Sequence, residues 1–396
     1  MTADIEDVAI AGAGPVGLTL ALALASVGRS VVVVEKEDAP STAPRAMVYL
    51  HSLLPDLAAL GLLDDMRARG YEDHEGLNVH LAETGELVSI PNTALAGEAE
   101  YPFNVHLGQG DYCALVREKL EGYPNARVLF GAEVTGFVDD EAGVTVEISG
   151  EAEPLRARWL VGADGGRSVV RRALGATMDG YTWDDRFVAT NVRFPFERMG
   201  FLGSNMFVHP RIGSIVSRID GHGLWRVTYQ EPDELPLETL DERVSAHFRA
   251  LTGGDDVEVV ASTPYRMHQR LSSALYRGHV VLAGDAAHLT NPTGGLGLTT
   301  GLYDVILLQR ILQALLDGGD ESLLEYYAAE RSRVFTDVTS PTASAMKAML
   351  YDSRTPELLE QNVAPIRAAA STLEGQRRFL HGLDAIRSPL PAGIVG

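Results

Sequence analysis

The sequence predicts an α/β protein in which a dinucleotide-binding domain alternates along the chain with an antiparallel β-sheet domain and is followed by helices. The first observation is local. An apolar run, Val8–Ala11, leads through glycines into an apolar stretch at residues 15–27, and a β-branched run follows at residues 30–35. Strand, glycine turn, helix and strand in this order form a βαβ unit, so the sheet begins with parallel strands.

Two further observations concern the rest of the chain. Buried-strand patterns that end in glycine-rich turns return at residues 155–161 and 278–283. Elsewhere, alternating polar and apolar residues at 76–90 and 180–265 are typical of antiparallel strands, whereas residues 321–383 have a helical pattern. Because the first kind of segment recurs at the start, middle and end, the chain must cross between the two domains more than once.

The domain division follows from this alternation. The dinucleotide-binding domain is expected to take residues 1–75, 101–179 and 270–340. The β-sheet domain is expected to take residues 76–100 and 180–269, and a helical extension residues 341–396. Within these segments, helices are predicted at residues 52–69, 109–121, 241–251 and 297–316.

The composition is that of a globular protein with an acidic surface. Hydrophobic residues make up 45% and charged residues 22% of the 396 residues. A net charge of −21 would repel nucleic-acid phosphates and anionic lipid head groups, so neither partner is expected. The single cysteine, Cys113, cannot form an internal disulfide, which favours a packing role and a reducing, cytoplasmic setting. Leu18–Val27 is too short to span a bilayer and follows acidic residues, so a buried helix is expected there.

The first motif is the stretch Gly12–Gly17, which fits GxGxxG, with Glu35 at the end of the next predicted strand. Gly12 allows the tight turn, Gly14 has no Cβ to block a pyrophosphate, and Gly17 lets the helix lie close to the strand. The helix start offers free N–H groups to phosphates, and Glu35 can accept hydrogen bonds from an adenosine ribose. This motif does not choose between NAD and FAD.

Two more glycine-rich turns follow buried strands. Residues 162–171 read GADGGRSVVR, and residues 284–288 read GDAAH, followed by NPTGGLGL at residues 291–298. Each turn places an aspartate, Asp164 or Asp285, at the end of a strand beside a helix start. A carboxylate there can bind ligand hydroxyls, while backbone N–H groups face negative charge.

These three segments, in this order, resemble the flavoprotein aromatic hydroxylases, the family of para-hydroxybenzoate hydroxylase and salicylate hydroxylase. The resemblance covers roughly residues 5–310, and it implies a Rossmann-like FAD-binding domain interleaved with a substrate-binding sheet. The family often has Gln or Met where this chain has Leu296, and Asn where it has Thr299. These departures concern contacts to the flavin ring rather than FAD binding.

The resemblance also implies roles for individual residues in binding FAD. Arg45 and Ala46 would lie along the phosphates, Asp285 would hold the ribityl chain, and Asp164 with Arg171 would brace the pyrophosphate region and the NAD(P)H path. The full set of expected cofactor-binding residues is Gly12, Gly14, Pro15, Val16, Gly17, Glu35, Lys36, Arg45, Ala46, Gln109, Asp164, Asp285, Gly295, Leu296, Gly297 and Leu298.

Catalytic and substrate-binding residues follow from the same resemblance. The expected catalytic residues are Pro292 beside the flavin ring, Arg226, which resembles a family arginine that steadies the flavin, and Tyr229. The expected substrate-binding residues are Tyr49, Met206, Arg218, Thr293 and Gly294. The group that assists deprotonation of a phenol is left open among Tyr49, Tyr101, His106, His209, Arg211, Arg218 and Tyr229. His288 is expected to be structural and to close the flavin loop.

The function that the resemblance implies is NAD(P)H-dependent hydroxylation of a phenolic or heteroaromatic small molecule by O₂ through a flavin C4a-hydroperoxide. One alternative is an FAD-dependent epoxidase or reductase of the same fold that acts on an apolar or isoprenoid substrate. Another is a cofactor-bound interaction protein without turnover. The protein is expected to be a monomer or a homodimer, with the helical tail as a candidate interface. The identity of the substrate and the choice between NADH and NADPH stay open.

Overall fold

A computed structural model describes residues 5–39, 45–150 and 153–394. The strands in these ranges are β1 (Glu6–Ala11), β2 (Val31–Glu35), β3 (Val48–Tyr49), β4 (Tyr71–Asp73), β5 (Leu77–Leu81), β6 (Glu86–Ile90), β7 (Asn104–His106), β8 (Ala126–Phe130), β9 (Val134–Asp140), β10 (Gly143–Ile148), β11 (Leu155–Gly162), β12 (Met178–Arg193), β13 (Ser204–Val208), β14 (Ser214–Arg218), β15 (Leu224–Pro232), β16 (Glu258–Ser272), β17 (Tyr276–Arg277), β18 (Val280–Leu282) and β19 (His288–Leu289). The α-helices are α1 (Pro15–Ser26), α2 (Leu54–Ala59), α3 (Leu63–Arg69), α4 (Gln109–Leu120), α5 (Val169–Ala173), α6 (Leu240–Thr252), α7 (Leu296–Leu316), α8 (Ser322–Val334), α9 (Ser340–Tyr351), α10 (Pro356–Ala370) and α11 (Leu373–Gly382).

The first sheet has the order β17-β18-β11-β1-β2-β8, and β10 and β9 continue from β11. Its five consecutive strands β18, β11, β1, β2 and β8 run parallel. The apolar runs of β1 and β2 are buried because helices pack beside them, as a parallel sheet requires. α1 packs against both α4 and α7, so the first βαβ unit of the sequence lies at the centre of this domain.

The second sheet has the order β19-β16-β12-β15-β14-β13-β5-β6. All of its pairs are antiparallel, as the alternation predicts, except that β5 and β13 run parallel. This exception arises because β5 comes from a much earlier segment, so no hairpin fixes its direction against β13. The two sheets therefore draw on alternating segments of the chain, and the α/β fold with interleaved domains is confirmed.

The two faces of the second sheet are covered by different helices. α6 packs on the face that carries Trp225, Val227 and Tyr229. Helices α9, α10 and α11 share an apolar core with the opposite face, which carries Phe187 and Met206. The inner side of the helical tail is thus occupied by the chain's own sheet.

Some details differ from the sequence predictions. The helix expected at 52–69 is divided into α2 and α3, with a break at residues 60–62. The domain boundary expected at residue 341 falls inside a continuous helical stretch, because a π-helical turn, Phe335–Thr339, joins α8 to α9. β19 pairs with β16 of the second sheet, although residues 270–340 were assigned to the first domain. A third sheet, β3-β7-β4, was not predicted, since strands of two or three residues produce no periodic pattern.

The structure bears on the expectations for membrane-spanning segments and for Cys113. Within the described ranges, no helix is both long and apolar enough to cross a membrane. Cys113 is buried in α4, and burial raises the pKa of its thiol to about 12. A thiol held protonated in this way is a packing group rather than a nucleophile.

Candidate functional site

The GxGxxG turn has the geometry that its glycines predict. Gly12 has a φ of +103°, and a Cβ there would lie 2.4 Å from the carbonyl oxygen of Ala163. A Cβ on Gly17 would lie 2.0 Å from the carbonyl oxygen of Gly12. A Cβ on Gly14 would meet no protein atom within 4 Å, so this side of the turn is open. No side chain caps the start of α1, and its first N–H groups are therefore available to phosphate oxygens.

Glu35 is held beside this turn at the end of β2. Its Oε2 accepts a hydrogen bond of 2.7 Å from the N–H of Ala13, and its Oε1 accepts one of 3.0 Å from the N–H of Glu37. Each carboxylate oxygen keeps a second lone pair, which is what a ribose diol would require. Lys36 is exposed on the next position, where its ammonium lies 3.8 Å from Glu37.

Asp164 caps the short helix α5. Its Oδ2 accepts hydrogen bonds from the N–H groups of Val169 at 2.6 Å and Val170 at 3.2 Å. Its Oδ1 is buried and has no hydrogen-bond partner in the described part of the chain. An unpaired buried carboxylate oxygen is costly, so this atom is suited to accept a hydrogen bond from a ligand hydroxyl.

Arg171 joins the second and third glycine-rich turns. Its buried guanidinium donates to the carbonyl oxygens of Ala286 at 3.0 Å and Gly166 at 2.8 Å. Burial lowers the pKa of this guanidinium from its usual value. Arg171 therefore positions the two loops, rather than offering its charge to a ligand.

Asp285 faces a cleft between the loops. Its side chain is accessible to solvent, although protein surrounds it closely enough that burial raises the pKa of its carboxyl, while His288 and Arg45 act in the opposite direction. Exposure to solvent combined with closely surrounding protein is expected for a group at the floor of a cleft. The first turn borders the same place, because Val16 Cγ2 lies 2.8 Å from where a Cβ on Gly284 would be.

A buried network that the sequence did not predict supports this loop. Asp304 accepts hydrogen bonds from Nε2 of His288 at 2.8 Å, from the N–H of Gly284 at 2.8 Å and from Nε of Arg331 at 2.6 Å. His288 also stacks on Phe335 at 5.5 Å between ring centroids. The structural role expected for His288 agrees with this placement. The available signal was Asp304 itself, an acidic residue in the buried middle of a largely apolar helix.

Arg226 connects the second sheet to the segment expected along the FAD phosphates. Its Nε donates to Oδ1 of Asn191 at 2.8 Å, and its Nη1 donates to the carbonyl oxygen of Arg45. Burial lowers the pKa of its guanidinium to about 10, so it is still charged at neutral pH. Gln109 begins α4 beside the same segment, since its N–H donates to the carbonyl oxygen of Ala46 at 3.1 Å. The structure thus brings Arg45, Ala46, Gln109 and Arg226 together.

The loop before α7 is fixed by its own hydrogen bonds. Pro292–Gly294 form one 3₁₀ turn, and Asn291 Oδ1 accepts from the N–H of Thr293 at 3.1 Å. Gln269 of β16, which the sequence analysis missed, accepts from the N–H of Asn291 at 3.1 Å. No side chain caps the start of α7 at Gly295, and the N–H groups of its first turn are free to face a charged ligand.

Aromatic side chains cluster where the second sheet meets α9, which contacts this loop, and we call this cluster the aromatic compartment. Phe187 lies 6.1 Å from Tyr265 and 5.4 Å from Tyr351, measured between ring centroids. Met206 belongs to the same apolar cluster. Burial raises the pKa of the Tyr265 hydroxyl, while the nearby positive charge of Arg226 acts in the opposite direction. Neither Tyr265 nor Tyr351 was predicted, because an aromatic residue in a strand or helix is more often ordinary core.

Three of the expected residues lie elsewhere. Tyr229 is on the α6 face of the sheet, where it stacks on His247 at 3.8 Å. Arg218 also points away from Arg226, with its guanidinium 3.3 Å from Glu197 and over the ring of Tyr71. Side chains along a strand alternate between the two faces of the sheet. A residue on β15 that is an odd number of positions away from Arg226, such as Tyr229, therefore lies on the opposite face.

Tyr49 and the remaining deprotonation candidates have other surroundings. Tyr49 is buried in the core of the first domain, 4.8 Å from Tyr112 between ring centroids. His106 lies 3.2 Å from Asp73, and His209 accepts a hydrogen bond of 3.0 Å from the N–H of Arg211. Arg211 is exposed, and Tyr101 lines a surface cavity next to α11.

Three glycine-rich turns that meet at one cleft, beside a sheet with an aromatic compartment, define the class of flavin-binding two-domain proteins. The chain belongs to the family described as FAD binding domain, whose model matches residues 6–342. It is an FAD-dependent monooxygenase of the aromatic-hydroxylase type.

Its relatives have names consistent with this assignment. The chain is 41% identical over 393 residues to 6-hydroxy-3-succinoylpyridine 3-monooxygenase HspB of Pseudomonas putida, with 97% of each chain covered. It is 37% identical over 390 residues to para-nitrophenol 4-monooxygenase of a Pseudomonas species, with 96% of each covered. The crystal structure of p-nitrophenol 4-monooxygenase PnpA from Pseudomonas putida DLL-E4 superposes with a TM-score of 0.93 at 35% identity, covering 98% of this chain and 99% of that one.

Proposed function

We propose that this protein uses NAD(P)H and O₂ to hydroxylate a small phenolic or heteroaromatic substrate. The observation that carries the proposal is the aromatic compartment of Phe187, Tyr265 and Tyr351, which lies beside the Pro292–Gly294 loop and Arg226. Apolar and aromatic side chains with a few polar groups are the usual lining of a site for a small aromatic ligand.

The names of the relatives support a hydroxylated ring as the substrate class. HspB is named for a hydroxypyridine and the second relative for a nitrophenol. Both share almost their whole length with this chain. Bound FAD would supply the redox chemistry, which would pass the two electrons of NAD(P)H to O₂, so that one oxygen atom enters the ring and the other leaves as water.

The protein's own groups would bind the cofactor and control charge. The open side of Gly14 and the uncapped start of α1 fit a pyrophosphate, and the unpaired Oδ1 of Asp164 and the cleft-facing carboxyl of Asp285 fit hydroxyl groups. At the start of α7, free N–H groups would stabilise negative charge on the reduced flavin.

The substrate would be held on the sheet side of the cleft. Arg226 lies close enough to Tyr265 to favour negative charge beside its hydroxyl. We therefore expect Tyr265 to hydrogen-bond the substrate hydroxyl and Arg226 to stabilise its phenolate form, which is the better nucleophile. The apolar walls would exclude water from the reaction.

A screen of phenols and hydroxypyridines tests this function. Purified protein loaded with FAD is mixed with NADH or NADPH in air, and NAD(P)H oxidation is followed with and without each compound. Faster oxidation together with a hydroxylated aromatic product in chromatography supports the proposal. Oxidation that no ring compound accelerates, or an epoxide formed from an isoprenoid chain, would contradict it.

A further inference from the structure

Lys347 of α9 carries a buried charge whose partners are incomplete. The residue is 3% exposed, and its ammonium makes no hydrogen bond within the described part of the chain. The nearest carboxylate, on Asp352, lies 3.6 Å away and is itself half exposed. The ring centroid of Trp183 lies 4.3 Å from Nζ, which provides a cation–π contact but no acceptor. A buried ammonium normally has hydrogen-bonding partners for its three N–H groups, so this one has capacity left.

The helix that carries Lys347 is a wall of the aromatic compartment. Met346, the preceding residue, packs on the loop before α7, with its Sδ 3.0 Å from where a Cβ on Gly294 would be. One turn later, the hydroxyl of Tyr351 donates to the carbonyl oxygen of Thr228 on the sheet at 3.3 Å. Lys347 lies between these two contacts, with Nζ 6.0 Å from the Tyr351 ring centroid.

A comparison of the buried cations separates Lys347 from most of the others. Arg186 and Arg331 form hydrogen-bonded pairs with Glu231 and Asp304, at 2.7 and 2.6 Å. Arg171 donates to two carbonyl oxygens. Among the buried cations of the described residues, Arg226 and Lys347 differ from these three. Neither forms a hydrogen bond to a carboxylate, and neither serves only to hold two loops together. Both border the aromatic compartment.

We propose that Lys347 binds an acidic substituent of the aromatic substrate and so selects rings that carry an anionic group. This inference rests on the proposed function. The protein carries a net charge of −21, so an anionic substrate needs a local positive charge to compensate for the repulsive surroundings. Arg226 would face the hydroxyl end of the ring, while Lys347 would face its acidic end. Lys347 also lies beyond residue 342, where the match to the family model ends. A residue that sets substrate specificity can lie outside the part of the chain that the family shares.

The test uses matched substrates. Phenols with a para carboxylate side chain of increasing length are each compared with the neutral primary amide of the same shape. In Lys347→Met, which keeps the length of the side chain and removes its charge, we expect KM for the best acid to rise about tenfold or more while kcat and the KM of its amide change little. Lys347→Arg should restore part of the preference.

A surface lysine provides the control. Lys119→Met makes the same change in net charge. Lys119 lies on α4, and the substitution removes only its exposed ion pair with Asp65 of α3. It should leave both KM values unchanged. Melting temperatures of all variants show whether each one folds.

Two results distinguish the inference from the proposed function. If phenols stimulate NAD(P)H oxidation but Lys347→Met changes acid and amide equally or not at all, the role of Lys347 is refuted and the function stands. If no phenol stimulates oxidation, the function fails. Dissociation constants of the acids and amides, measured from the flavin absorbance change, then still decide whether Lys347 recognises the carboxylate.

Discussion

Gly12 and Gly14 lie two residues apart in one turn, yet their surroundings differ. The Cβ position of Gly12 is occupied by backbone of Ala163, and its φ of +103° is unfavourable for any other residue. The Cβ position of Gly14 opens onto free space. One glycine is therefore needed by the fold, and the other by the ligand.

Alanine substitutions should separate these two requirements. Gly12→Ala is expected to destabilise the protein without FAD by about 3 kcal/mol or more, since backbone must move. Gly14→Ala should leave the melting temperature of the FAD-free protein unchanged and weaken FAD binding at least about tenfold, because the new methyl group meets the pyrophosphate. Thermal melts and fluorescence titrations with FAD measure both effects. Equal losses of stability in the two variants would contradict the distinction.

Asp304 is the acidic centre of the network under the Asp285 loop. Asp304→Asn leaves Arg331 buried without a charged partner and removes one acceptor from His288, which is expected to cost about 3 to 5 kcal/mol of folding free energy. Asp317→Asn is the matched control, because Asp317 is exposed in its pair with Arg29 and should cost less than about 1 kcal/mol. Chemical denaturation measures both. A small effect at Asp304 would show that the network does not support the fold.

At the scale of elements, the helices and strands that are determined by residues close in sequence were predicted well. The βαβ unit, the hairpin β5–β6 and the helices α4, α6 and α7 follow from short-range periodicity and glycine turns. The sheet β3-β7-β4 and the docking of α9–α11 depend on contacts between distant segments, which no local pattern encodes. Tyr229 shows an avoidable error, since its odd spacing from Arg226 on one strand already placed the two residues on opposite faces.

α6 provides a pH-dependent contact with its sheet. His247 stacks on Tyr229 and lies 2.9 Å from Oγ of Ser214, and burial lowers the pKa of its imidazole to about 4. Below the ordinary histidine pKa the unfolded chain takes up a proton that the folded one does not, so stability falls as the pH drops from about 6.5 towards 4. The loss of folding free energy from His247 is on the order of 2 kcal/mol. It is smaller than for a fully buried imidazole, because the ring keeps part of its surface in solvent.

His247→Gln removes this titration. Folding free energies measured by denaturation at pH 7 and pH 4.5 should therefore fall less in the variant than in the unaltered protein, by roughly 1 to 2 kcal/mol. His222→Gln, a change on an exposed turn, is the control and should keep the original pH dependence. An identical decrease in all three proteins would show that His247 is not the group responsible.

At the scale of the whole molecule, the two domains meet where Arg226 of the sheet bonds the Arg45 carbonyl of the FAD-binding domain. Sequence motifs predicted which turns form the cofactor side of this joint, because glycine turns are local. The proposed substrate side was predicted only in part, since Tyr265, Gln269 and Lys347 contact neighbours that are remote in sequence.

Arg226→Met is expected to keep FAD bound while lowering the rate of flavin reduction by NAD(P)H at least about tenfold, because the sheet no longer holds the cofactor segment. Stopped-flow absorbance under anaerobic conditions measures this rate. Arg193→Met, on the exposed end of the neighbouring strand, should reduce at the original rate. Loss of FAD from Arg226→Met would instead indicate a purely structural role.

The most direct measurement is the origin of the oxygen atom in the product. One accepted phenol is turned over with NAD(P)H under isotopically labelled O₂, and the aromatic product is weighed by mass spectrometry. The account predicts one labelled oxygen atom on each ring. A product that carries only unlabelled oxygen from water, or a ring left unchanged while NAD(P)H is consumed, would contradict it.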